Sequence, residues 1–214
     1  MFEKTSPGSF EVLNWGVAGY DTVDEANLLK HRGPAFSPDL VVLCFFLNDT
    51  KAGPTARTFN PVGDREELPA WRRASALLDR LAARLGRRGR VRELVASYYA
   101  SYREDAPGWQ RVQAALTQAR DQARAEGFTL VVMLLPVLWD LSGPSPFADL
   151  HLKIAAFAES LGLPVLDLLP AFAGHDGPEL WAHPVDQHPS PEGHVIVGKA
   201  LFAFLGERRL LPLD

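Results

Sequence analysis

Near the carboxyl end of the chain an aspartate stands two residues before a histidine, in the run Asp186-Gln187-His188-Pro189-Ser190-Pro191-Glu192-Gly193-His194. In a loop closed by prolines, that carboxylate can hold the imidazole Nδ1–H and leave Nε2 free to accept a proton. The same residues also read as the entry to a helix, with Ser190 or Glu192 satisfying the first turn. Two other places bear on the choice. Asn48 and Asp49 follow an apolar run, and the carboxyl ends of strands are where open α/β sheets place their ligands. An Asn amide there can donate to an oxyanion. Gly16 and Gly19 punctuate the segment 14–22; they permit a tight turn and bring a backbone N–H close to a ligand. A nucleotide-cradling loop is the weaker reading of this G-x-x-G, because the third glycine of the dinucleotide fingerprint and the lysine of a P-loop are absent from it.

These groups need a scaffold to hold them. Four short runs rich in Val, Leu and Phe, at 10–13, 40–47, 128–135 and 164–168, predict buried strands. Apolar residues at helical spacing predict helices over 24–31, 109–123, 149–161 and 192–205. Buried strands separated by helices imply a parallel sheet covered on both faces, a three-layer α/β/α sandwich. Residues 53–107 read as a mainly helical insertion in a single domain spanning 1–214. Trp71, Ala74, Leu77, Leu78, Leu81 and Leu85 follow a helical rhythm there. The nearby cluster of Arg84, Arg87, Arg88, Arg90 and Arg92 reads as a solvated helix end, with contact to anionic lipid or polymer as the alternative.

Composition narrows the function classes. A chain of 214 residues, 47% hydrophobic and 22% charged, is long enough to bury one domain's core. A formal charge of -4 gives no electrostatic footprint for nucleic acid. The single cysteine, Cys44, sits inside an apolar run, so no disulfide framework or cysteine-based zinc site can be built. His and carboxylate spacing implies no metal, and no cofactor is expected. No stretch reaches the roughly 18 apolar residues of a membrane span, so the chain as written reads as soluble.

The ordered set N-x-G-x-x-G (Asn14 to Gly19), an apolar strand ending in Asn48-Asp49, and Asp186…His188-Pro189…Gly193-His194 resembles the SGNH, or GDSL-type, hydrolases. These are esterases and lipases of flavodoxin-like fold. The resemblance implies that the Gly19 N–H and the Asn48 amide form an oxyanion hole, that His188 is the general base and that Asp186 orients it. Asp49 and His183 are candidates for substrate contact. Trp15, Trp139 and Trp181 read either as pocket lining or as core.

Three departures accompany the resemblance, the mildest being Phe46, where the family's G-x-N-D block usually begins with glycine. The family's commonest form has its Asp three residues before the His, where this chain has Val185. The G-D-S block that supplies the nucleophilic serine has no match; Ser6 and Ser9 precede the first predicted strand. The strand bearing that block would lie between the strands at 10–13 and 40–47, so the first strand of the sheet is expected to be missing. The expectation is therefore a longer native product, exported or membrane-anchored through its N-terminal segment. Its substrate would be a small-molecule, carbohydrate or lipid ester, cleaved by Ser-His-Asp acyl transfer. A non-catalytic binding protein that keeps the fold is the competing class.

Overall fold

Thr129–Leu135 is an unbroken apolar run, and from Leu130 onward every residue of it is buried, which places it at the centre of a sheet. The computed structural model describes residues 11–51, 92–139, 141, 143–183 and 186–210. Within them Leu40–Phe46 (β1), Thr129–Leu135 (β2) and Val165–Asp167 (β3) form a parallel sheet in that order. Leu40 lies opposite Thr129 and Phe46 opposite Leu135; on the other side of β2, Val132 faces Val165 and Leu134 faces Asp167. All three carboxyl ends therefore open on the same side.

Parallel neighbours need long crossovers, and helices supply them. Pro107–Glu126 (α2) enters β2, and Ala148–Ser160 (α3) connects β2 to β3. Successive strand side chains point to opposite faces. Leu43 and Phe45 of β1 and Leu130, Val132 and Leu134 of β2 share a cluster with Ala26 and Leu29 of Thr22–Arg32 (α1), Val112 and Leu116 of α2, and Ile154 of α3. On the opposite face Met133 and Leu135, with Cys44 and Phe46, meet Phe172 of the one-turn helix Leu169–Phe172 (α4) and Ile196, Val197 and Leu201 of Pro191–Glu207 (α5). The result is an α/β/α sandwich.

Local chemistry fixes the helix ends. Asp21 caps α1 through the amides of Val23 and Asp24, and Asp24 returns a bond to the cap. Pro107 opens α2, and Gly127, at φ 82°, closes it in the left-handed conformation that glycine adopts freely. Trp181–His183 (β4) and Asp186–Pro189 (β5) form a separate antiparallel hairpin just before α5. None of the described helices is long and apolar enough to cross a membrane.

The structure departs from the sequence expectations at one strand. The run at 10–13 is not a strand over its described part: Val12 is 81% and Leu13 44% exposed, with no ladder partner among the described residues. Strand-forming side chains alone do not make a strand; a neighbour must supply the hydrogen bonds. Of the expected insertion, residues 53–91, with Trp71 to Leu85 and all the clustered arginines except Arg92, lie outside the described residues. Its remainder forms a helical stretch at 92–101 that packs on the end of β1.

Candidate active site

The β4–β5 hairpin presents an aspartate–histidine pair. Asp186 Oδ1 lies 2.5 Å from His188 Nδ1 and also accepts the His188 backbone N–H at 3.0 Å. On an extended strand, residues two apart share a face, so the two-residue spacing brings the carboxylate to the ring directly. These bonds, the backbone one first, hold the Asp186 carboxyl below its ordinary range. With Nδ1 engaged, Nε2 is the nitrogen left to face a substrate. Both side chains are open to solvent, His188 at 70% and Asp186 at 48%. His183 lies opposite Asp186 across the hairpin and is also exposed. The helix-cap reading holds at the same time: Ser190 Oγ accepts the Gly193 N–H at 3.3 Å and donates to Glu192 at 3.0 Å.

Asn48 and Asp49 occupy a single 3-10 turn, Leu47–Thr50, at the carboxyl end of β1. Asn48 is half-buried, and its carbonyl closes the turn by accepting the Lys51 N–H at 2.8 Å. Asp49 points inward instead, 6% exposed, and its Oδ2 accepts the Thr22 hydroxyl at 2.6 Å and the Phe46 N–H at 3.3 Å. The carboxylate braces the turn against α1. Burial pushes its pKa up to about 7, against the opposing pull of the Thr22 hydrogen bond.

Gly19 stands in an exposed turn at φ 83°, closed by the Tyr20 N–H to the Val17 carbonyl at 3.2 Å, while Asn14 Oδ1 accepts the Gly16 N–H at 3.0 Å. The glycines thus serve the turn geometry. Direct contacts among the described residues join Asp186 to His188 and Asp49 to Thr22; none joins His188 to Asn48 or Gly19.

Several buried or paired polar groups leave little trace in the sequence. Glu25 of α1 lies on the buried stripe of Thr22, Ala26 and Leu29, and its Oε2 is buried without a hydrogen bond. A carboxylate at helical spacing among buried positions was the signal available. Its pKa is pushed up to about 8, by burial first and then by the Asp49 charge. His151 and Asp167, 16 residues apart, meet at 2.8 Å under the end of β3, a pairing no local pattern announces. Of the serines, Ser97, Ser101 and Ser160 donate to the carbonyls of Leu94, Tyr98 and Phe157, and Ser190 caps α5. Among the described residues no group of three or more His, Cys, Asp or Glu could hold a metal ion.

The comparison with family models bears directly on this arrangement. The model of the GDSL-like Lipase/Acylhydrolase family matches residues 3–196, a span that takes in the glycine turn, the Asn48 turn and the dyad hairpin. The chain belongs to that family. Searches of curated proteins and of solved structures gave no significant match. As a GDSL-like family protein the chain is a hydrolase of esters by resemblance, and its α/β sandwich is the scaffold expected of one.

Proposed function

We propose that this GDSL-like protein cleaves ester bonds by Ser-His-Asp acyl transfer, with His188 as general base, Asp186 as its orienting carboxylate, and Gly19 and Asn48 as oxyanion donors. The observation that carries the reading is the Asp186–His188 contact at 2.5 Å, on a hairpin at the start of the last helix. A serine Oγ attacks the acyl carbonyl while His188 Nε2 takes its proton. The backbone N–H of Gly19 and the amide of Asn48 hold the tetrahedral oxyanion. Collapse expels the alcohol, which takes the proton from His188; water then repeats the sequence on the acyl-enzyme. Asp49 acts through the Asn48 turn rather than on substrate. His183, exposed beside the dyad, is a substrate contact in this reading. The substrate class is a small-molecule, carbohydrate or lipid ester.

The nucleophile is proposed to arrive on a strand that pairs with the outer edge of β1. In support, β1 has a partner only on its β2 side among the described residues. Only Leu43 and Phe45 of its seven residues are buried, whereas β2 is buried from Leu130 on. Parallel strands at the centre of an α/β sheet are covered on both sides; a half-exposed one is an edge.

The test is hydrolysis of p-nitrophenyl acetate by the chain extended at its N-terminus with a serine-bearing strand. Turnover is expected there. His188→Ala should lower it by several orders of magnitude and Asn48→Ala by roughly 10²–10³. Equal rates in the His188→Ala protein would remove His188 from the mechanism, and no turnover in the extended chain would favour a binding role for the same site.

A further inference from the structure

The dyad is positioned by backbone, not by packing. His188 and Asp186 are 70% and 48% exposed, so packing among the described residues does little to locate them relative to the end of the sheet. The hairpin is tied at its exit by the Ser190 cap on α5, and the Ser190 N–H joins that exit to the buried Leu180 through its carbonyl at 2.7 Å. The entry is secured by an indole. Trp181 Nε1–H donates to the main-chain carbonyl of Leu138. Leu138 follows β2 by three residues, is buried, and belongs to the cluster against which the Trp181 ring packs. Gly177 closes on the same point: a Cβ there would stand 2.8 Å from the Leu138 oxygen, so only glycine lets the chain approach. Across the hairpin Trp181 faces Pro189, the residue after His188.

We propose that Trp181 is the positioning residue of the dyad: its indole bond to Leu138 clamps the β4–β5 hairpin to the carboxyl end of β2, which sets where His188 stands relative to the Asn48 turn. The clamp's purpose rests on the ester-hydrolase reading, whereas its mechanical effect on the hairpin does not. An N–H···O=C bond to a buried carbonyl is costly to leave unmade, because the carbonyl would lose its partner away from water. Removing the donor therefore frees the hairpin while the ring's packing persists.

The test replaces Trp181 by its benzothienyl analogue, which keeps the shape and puts sulfur where the N–H was; Trp181→Phe is the genetic counterpart. In the chain as it stands, backbone 15N relaxation should show order parameters at Gln187 and His188 falling from about 0.85 to below about 0.6, with β2 and α5 unchanged. In the serine-extended chain, kcat should fall about tenfold to a hundredfold while KM stays within twofold, the mark of a misplaced base rather than a lost binding contact. Unaltered order parameters in the benzothienyl protein would overturn the clamp. So would an unaltered kcat. If the serine-extended parent has no turnover at all, the hydrolase reading falls, and the relaxation measurement still decides for or against the clamp.

Discussion

Two acids at the junction of α1 and β1 make stability depend on pH at single residues. Asp49 loses its proton first, near pH 7, and its charge together with burial keeps Glu25 protonated up to about 8. Both folded pKa values stand above the ordinary carboxylate range, so the unfolded chain gives up these protons at lower pH than the folded one. Their contribution is fully present below about pH 4 and is lost as pH climbs through the folded values. The melting temperature should thus fall between pH 5 and pH 9, and Glu25→Gln should reduce that fall by on the order of 5 °C. Thermal melts at the two pH values check it; identical slopes in the two proteins would mean that Glu25 is already ionised in the fold.

At the scale of elements, the first turn of α2 and the turn that carries Asn48 are in contact, and glycine makes that contact possible. A Cβ on Gly108 would stand 1.9 Å from the Thr50 carbonyl oxygen, with the Thr50 carbonyl carbon at 2.9 Å behind it. Neither atom can swing aside, since both are backbone. Gly108→Ala should therefore push α2 away from the turn, costing about 3 kcal/mol of stability and displacing Asn48; urea unfolding reads the first and ester hydrolysis by the serine-extended chain the second.

The same scale shows what the sequence made legible. Runs at 40–47, 128–135 and 164–168 became β1, β2 and β3 to within a residue or two at each end, because a strand buried on a face must be apolar whatever surrounds it. The helices at 149–161 and 192–205 emerged as Ala148–Ser160 and Pro191–Glu207, their stripes and caps both local features. The sequence of the dyad hairpin reads as a loop. Its seven strand residues are polar or exposed for the most part and carry no period, and their strand character comes only from facing each other. The described part of the run at 10–13 shows the converse, apolar residues without a ladder partner among the described residues. At the site, Asp186 and His188 were legible because two residues on one strand share a face, whereas the Trp181–Leu138 and His151–Asp167 contacts join distant segments and left no local trace.

For the whole molecule, the asymmetry of the sheet matters most. β2 has strands on both sides and helices on both faces, while β1 is flanked on one side only among the described residues. Amide exchange should separate them: alternate amides of β1, those turned away from β2, should exchange orders of magnitude faster than the amides of β2. Uniform protection along β1 would show that its outer edge is covered in solution. An unpaired apolar edge is also a site for pairing with other chains, so any strand that fills it should raise solubility.

Cys44 sits at the middle of β1, half-buried, with its thiol pushed up to about 11 by burial and by the Glu25 and Asp49 charges. A neutral thiol reacts slowly, so whatever alkylation occurs near neutral pH reports access more than intrinsic reactivity. A strand laid along β1, followed by its own helix, would seal that access and slow the labelling further. The one sulfhydryl of the chain is in this way a gauge of the sheet's completeness, and the time course of a maleimide reaction reads it without any knowledge of the substrate.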